Sequence, residues 1–229
     1  MAALRDRLEH VRERVAAACA RVGRDPDSVA ILPVTKSVDF ARLRVAQAAG
    51  MTTFGENRVQ EASAKAAELP GARWHLVGHL QSNKAGRAVE LFDQIHSVDS
   101  IDLARRLSRL ATAAGRAPLP VYLEVNVDRD PAKSGMAAAE LEQALPELAA
   151  LPGLDLRGLM TVGRLVSKPE DARPTFVALR VLSDRLRAGE PRLGPGLSMG
   201  MSDDFEIAVE EGATVVRIGR AIFGQRPPA

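Results

Sequence analysis

Apolar positions along the chain follow two periods in alternation. Leu4, Leu8, Val11, Val15, Ala18 and Val22 recur at helical spacing and predict one amphipathic helix ending around Gly23. Ile31-Leu-Pro-Val-Thr-Lys36 then reads as a buried parallel strand that ends in a lysine, with Ser37, Val38 and Asp39 opening a helix. The rhythm repeats. A helix through Leu43, Val45 and Ala48 stops at Gly50, and Thr52-Thr-Phe54 is a second strand leading into Gly55-Glu-Asn57. A helix from Val59 to Leu69 closes at Pro70-Gly71, and Arg73-Trp-His-Leu-Val77 is a third strand opening into residues 78–84. A helix near 85–91, a strand at Gln94–Val98 and an Asp99/Ser100 cap before a helix over 101–114 complete four βα units.

The second half continues the pattern. Pro120–Val127 is the fifth strand, and Lys133-Ser-Gly135 turns into a helix through Leu141, Leu145 and Leu148. Leu154–Val162 is the sixth strand, 163–173 a polar loop, Pro174–Arg187 a long helix, and 189–196 a Pro/Gly-rich connector. A short seventh strand, Leu197-Ser-Met199, runs into Gly200-Met-Ser-Asp-Asp204. A helix over 205–211 ends at Gly212, and 213–218 is the eighth strand. Eight such strands in 229 residues, with no linker between them, predict the α/β class: one (β/α)8 TIM barrel over residues 1–229 with an extra N-terminal helix. Pro227-Pro228 leaves little room for a final helix, so the N-terminal helix is expected to cover that gap.

Composition narrows the function classes. Aromatics at 3% give stacked bases little to rest on, and the net charge of +2 comes from arginines spread among acids, so no nucleic-acid partner is expected. The lone Cys19 excludes an internal disulfide and a cysteine metal cluster, and fits a reducing, cytoplasmic setting. Asp6, Glu9 and Glu13 argue against a transit peptide. No apolar run is long enough for a signal or a membrane span, so no membrane partner is expected.

In a parallel barrel the ligand site lies at the carboxyl ends of the strands, where Lys36 stands. An amine in a partly dry pocket loses solvation of its charged form and becomes a nucleophile toward aldehydes, which points to Schiff-base chemistry; the plain alternative is a lysine solvating a strand end. The loops after strands seven and eight commonly hold phosphates. Ser202 offers a hydroxyl at an expected helix N-cap and Gly219 allows close backbone approach, although Asp203 and Asp204 would compete with an anion. Arg217 closes strand eight, and its guanidinium needs an acceptor, either a ligand ring nitrogen or a carboxylate such as Glu124 or Glu56.

Several blocks carry a resemblance. Val34-Thr-Lys36, Phe54-Gly-Glu-Asn57-Arg-Val-Gln-Glu61, the run from Trp74 to Lys84, Lys133-Ser-Gly135, Arg157-Gly-Leu-Met160, Leu197 to Asp204 and Arg217 to Gly224 are together similar, in order, to the pyridoxal phosphate homeostasis protein family. The fold it implies is a single barrel like the N-terminal domain of alanine racemase. The resemblance further implies that Lys36 carries pyridoxal 5′-phosphate as an internal aldimine, that Ser202 and the amides of Gly219 and Arg220 hold the phosphate, that Arg217 faces the pyridine nitrogen, and that Asn57 lines the pocket. The implied role is intracellular cofactor (vitamin B6) and amino-acid homeostasis, and an arginine at the ring nitrogen, which keeps the ring a poor electron sink, points to a non-catalytic or barely catalytic protein. Pyridoxal phosphate is the expected partner, with pyridoxal phosphate-dependent apo-enzymes as recipients and the protein acting as a monomer. Lys84 and Lys133 are either secondary sites for the cofactor or ordinary surface lysines.

Two enzymatic alternatives remain open. A racemase needs a second acid/base opposite the lysine, and the sole tyrosine, Tyr122, stands about 13 Å from the catalytic end of its strand. His79 would have to serve instead. The chain also stops soon after strand eight, so the C-terminal β domain of alanine racemase is expected to be absent. A Schiff-base aldolase acting on a phosphosugar would need Lys36 but no bound cofactor.

Overall fold

The computed structural model describes residues 2–164 and 166–225; Leu165 of the predicted polar loop and Pro227-Pro228 lie outside them. Eight parallel strands form one sheet: β1 (Ala30–Pro33), β2 (Thr53–Glu56), β3 (Arg73–Leu76), β4 (Gln94–Val98), β5 (Leu119–Glu124), β6 (Leu154–Met160), β7 (Gly196–Ser198) and β8 (Val215–Ile218). Their order is β1-β8-β7-β6-β5-β4-β3-β2. The two sheet ends meet through a lone parallel bridge between Val34 and Gly55, beside which the Thr35 amide donates to the Gly55 carbonyl at 2.9 Å. The sheet therefore closes on itself, as the eight-unit rhythm predicts.

Helices α1 (Ala2–Arg21), α2 (Phe40–Ala48), α3 (Val59–Glu68), α4 (Ala85–Leu91), α5 (Ile101–Ala113), α6 (Ala138–Ala149), α7 (Arg173–Gly189), α8 (Phe205–Glu210) and α9 (Arg220–Phe223) surround the sheet. In α1 the predicted stripe Leu4, Leu8, Val11, Val15 and Ala18 is buried, whereas Val22 lies past the helix end and is exposed. The helix packs on α8 and α9, and Arg7 Nε donates to the Ile222 carbonyl at 2.8 Å. It covers the gap left by the short final helix. Arg14 adds a two-pronged pair with Glu206 while lying 4.6 Å over the Phe205 ring.

Several boundaries differ from expectation: β1 stops at Pro33 rather than Lys36, β5 at Glu124 rather than Val127, β6 at Met160 rather than Val162, and β8 starts at Val215 rather than Ala213. Residues 169–172 form a 3-10 turn inside the predicted loop, and α7 begins at Arg173 rather than Pro174. Proline in a first helical turn has no N–H to lose, so the helix starts just ahead of it. The apolar core runs from Leu4 to Phe223. The barrel interior is partly polar: β4 and β7 are separated in the sheet by β5 and β6, so the 2.8 Å contact of His96 with Ser198 crosses the lumen. Among the described residues no helix is long and apolar enough to cross a membrane.

Candidate functional site

A cleft of about 600 Å³ opens at the carboxyl ends of the strands, and Lys36, Asn57, Ser202, Arg217, Gly219 and Arg220 all line it. These residues come from four strand ends spread across the whole sequence. Lys36 is half-buried in a turn just beyond the Val34 bridge. The next residue, Ser37, has φ +62°, a left-handed conformation that costs a non-glycine residue roughly 1 kcal/mol.

Lys65 and Glu61, on α3, hold that turn. Lys65 Nζ donates to the Thr35 carbonyl at 2.6 Å, to Glu56 Oε1 at 2.6 Å and to Glu61 Oε1 at 2.7 Å. Glu61 Oε1 in turn accepts the Ser37 amide at 2.7 Å, and Thr35 Oγ1 donates to Glu56 at 2.6 Å. The residues on either side of Lys36 are thus tied to one buried ion cluster. Burial pushes the Glu56 carboxyl above its ordinary range, partly offset by the hydrogen bonds from Lys65 and Thr35. Burial acts the same way on Glu61, but hydrogen bonds from Lys65 and the Ser37 amide outweigh it and hold that carboxyl low.

Arg217 is buried in the floor of the cleft. Its Nη1 donates to the Ser198 carbonyl at 2.6 Å and to Ser198 Oγ at 2.9 Å, and its Nη2 donates to the Thr161 carbonyl at 2.8 Å. Glu124 and Asp204 act on it through space rather than by hydrogen bonds, so the expected ion pair with Glu124 or Glu56 is replaced by main-chain and hydroxyl acceptors. Burial lowers the guanidinium to about 10, which leaves it charged at neutral pH. Donor capacity remains on Nε and Nη2.

The loops after β7 and β8 meet at the other wall. Ser202 does not N-cap α8, as the spacing predicts; Asp204 holds that position, and Ser202 Oγ accepts the Ala221 amide of α9 at 3.3 Å. The reason is a tight turn. Asp204 folds back so that Oδ1 accepts the Met201 amide at 2.6 Å, and Gly200, at φ +89°, lies where a Cβ would be 2.5 Å from that of Ala208. Asp203 pairs with the Arg220 guanidinium. Both acids are therefore engaged within the loops.

The chain matches the family model described as alanine racemase, N-terminal domain, over residues 6–227. It is 42% identical over 228 residues to the pyridoxal phosphate homeostasis protein of Pseudomonas aeruginosa, an alignment covering 99% of this chain and 97% of that one. The chain belongs to the pyridoxal phosphate homeostasis protein family. The Escherichia coli K12 member is 39% identical, with 96% and 95% of the two chains covered. PipY of Synechococcus elongatus, solved with pyridoxal phosphate bound, superposes with a TM-score of 0.85 at 43% identity, covering 96% of this chain and all of that one. Alanine racemase of Clostridium difficile shares the barrel at a TM-score of 0.76 but only 16% identity, and the alignment covers 58% of that chain.

Against that family background, the remaining sequence candidates are not themselves among the residues that line the cleft, although Lys133 bonds Val162, which is. His79 Nδ1 sits 2.7 Å from Asp99 Oδ2 at an exposed part of the mouth. Lys133 donates to the Val162 carbonyl at 3.2 Å, and Lys84 ends a 3-10 turn before α4. Tyr122 is buried with its hydroxyl toward Thr214 and Gln94, at the starts of β8 and β4 and so at the opposite end of the barrel from Lys36. Sequence reasoning missed Lys65, Ser198 and His96. The only signal for Lys65 was its place on the apolar stripe of α3, with Val59, Ala62 and Leu69.

Proposed function

We propose that this chain, acting as one domain and a monomer, binds pyridoxal 5′-phosphate reversibly in the cleft and buffers it for apo-enzymes in the cytoplasm, without catalysing a reaction of its own. One observation carries the reading: an amine, a charged guanidinium and a hydroxyl on paired phosphate-type loops line the same cleft.

The residues fit such a ligand. Lys36 supplies the amine for the aldehyde, Arg217 the donor for a ring nitrogen, and Asn57 a polar wall. Ser202 Oγ with the amides of Gly219 and Arg220 suits a phosphate. A side chain at Gly219 would crowd this wall, since its Cβ would come within 3.3 Å of the Val34 carbonyl. Bound pyridoxal phosphate brings an electron-accepting ring and an aldehyde that condenses reversibly with amines. Arg217 can only donate, so it keeps a proton off the ring nitrogen and weakens the ring as an electron sink. The absence of catalysis is supported by the place of Tyr122 at the far end of the barrel and by the Asp99 contact that holds His79 outside the cleft lining.

Absorbance titration with pyridoxal phosphate tests the reading. A long-wavelength band is expected in the parent protein and not in Lys36→Ala; no band in the parent with excess cofactor would overturn it. Exchange of the alanine α-hydrogen with deuterated solvent, lost in His79→Ala, would instead defeat the non-catalytic reading.

A further inference from the structure

Ser198, at the end of β7, places Oγ 2.9 Å from Arg217 Nη1 and 2.8 Å from His96 Nδ1; His96 Nε2 lies 3.2 Å from His75 Nδ1. The contacts link β8, β7, β4 and β3 across the barrel lumen, and Ser198 and His96 are fully buried. Counting donors gives this row one direction. A guanidinium has hydrogens and no acceptor, so Arg217 donates to Ser198 Oγ. The hydroxyl proton then needs an acceptor, and of these two neighbours only His96 Nδ1 can be one. A proton on that nitrogen would set two donors and the hydroxyl proton around one oxygen, in a place where an unmade hydrogen bond is costly. His96 therefore carries its proton on Nε2 and donates it to His75 Nδ1, which fixes His75 in the same form. The rings are held by packing as well: His96 lies 5.3 Å from His75 and 4.6 Å from Tyr122, centroid to centroid.

We propose that Ser198 and His96 are positioning residues for Arg217, fixing its guanidinium through a directed chain of hydrogen bonds that runs from Arg217 through Ser198 and His96 to His75. The Thr161 and Ser198 carbonyls set one edge of the guanidinium plane, and the Ser198 hydroxyl, locked by His96 behind it, sets the remaining Nη1 hydrogen. A charged His96 would lose the acceptor the chain requires and would bring a second cation toward Arg217. The proposal rests on the reading above only where it says what Arg217 faces, a ring nitrogen in the cleft.

Two measurements test it. Nitrogen-15 spectra of the histidine rings, taken at neutral pH on the protein without cofactor, are expected to show His96 and His75 neutral with the proton on Nε2. A proton on Nδ1, or an imidazolium, at His96 overturns the chain whatever the protein binds. The second measurement is a pyridoxal phosphate titration of His96→Leu and His96→Asn, with thermal melting to confirm folding. Asparagine keeps a carbonyl oxygen near the place of Nδ1 and so keeps the acceptor for Ser198, whereas leucine removes it. His96→Leu is expected to weaken binding about tenfold and to move the visible band, with His96→Asn within about threefold of the parent. Equal affinity and an unmoved band in all three proteins overturn the positioning role. Failure of the parent protein itself to bind overturns the cofactor reading, and with it what Arg217 faces, while the histidine spectra still report on the chain.

Discussion

Lys65 Nζ lies 2.6 Å from the carbonyl oxygen of Thr35, thirty residues earlier in the chain. A buried ammonium here bonds at once to the main chain beside Lys36 and to two carboxylates, Glu56 and Glu61.

Removing one member of such a buried cluster leaves the others uncompensated. Lys65→Met is expected to destabilise the protein by about 3–5 kcal/mol, read as a fall in melting temperature of roughly 10 °C. Adding Glu56→Gln should recover part of that loss, because the uncompensated buried charge is then gone. A double variant no more stable than Lys65→Met alone would show that the pair does not act as a unit.

Gly78 shapes the cleft from behind. A Cβ there would stand 2.4 Å from the Asn57 carbonyl oxygen and 2.8 Å from its Cα. Gly78→Ala must therefore push the Asn57 backbone, with an expected cost of about 1–3 kcal/mol in thermal stability and a several-fold loss of affinity in a pyridoxal phosphate titration.

Stability against pH should be bounded on both sides. Burial, reinforced by the charge of Asp99, pushes the Glu124 carboxyl from 4.5 up to about 7. A raised pKa means that the folded state prefers the protonated form: the contribution is complete below the unfolded value and is lost as pH rises through about 7. Burial lowers His75 to about 4, so its contribution is complete above the unfolded value near 6.5 and is lost as pH falls toward 4. Melting temperature should peak between those limits. Glu124→Gln should remove the fall above about pH 6.5, because below that the loss at Glu124 is offset by the gain at His75, and leave the acid limb in place. An unchanged alkaline limb in that variant would rule out Glu124 as its source.

Ser202 links the two phosphate-type loops through the Ala221 amide. Ser202→Ala is expected to lower affinity for pyridoxal phosphate by up to about tenfold, with a smaller effect on pyridoxal, which lacks the phosphate. Equal losses for both compounds would place Ser202 outside the phosphate contact.

Much of this was legible in the chain itself. Lys36 and Arg217 could be singled out because each falls at the carboxyl end of an expected strand, and the eight strands followed from short β-branched runs set between helical stripes. Ser202 was legible as a hydroxyl but not in its partner, because Asp204 takes the cap position and turns the loop toward α9. Ser198 and His96 were not legible, since their contact crosses the lumen between strands that are not neighbours in the sheet. Hydrophobic pattern reports the strand face turned to the helices; the face turned inward is settled by which strands close opposite one another.

The seam between β1 and β2 separates this barrel from a ring held by main chain alone. Beyond the lone bridge at Val34 and Gly55, it is joined by Thr35 Oγ1 to the Gly55 carbonyl at 3.2 Å and to Glu56 at 2.6 Å, and by Lys65 from below. The last joint of the ring combines the Val34–Gly55 bridge and the Thr35 amide bond to Gly55 with side chains, and because the Lys65–Glu56 pair is among them its strength varies with protonation. Loosening it frees the turn that carries Lys36 from Arg217 and Ser202 while the remaining strand pairs stay joined, and amide exchange at Thr35 and Ser37 would register that opening ahead of the rest of the barrel.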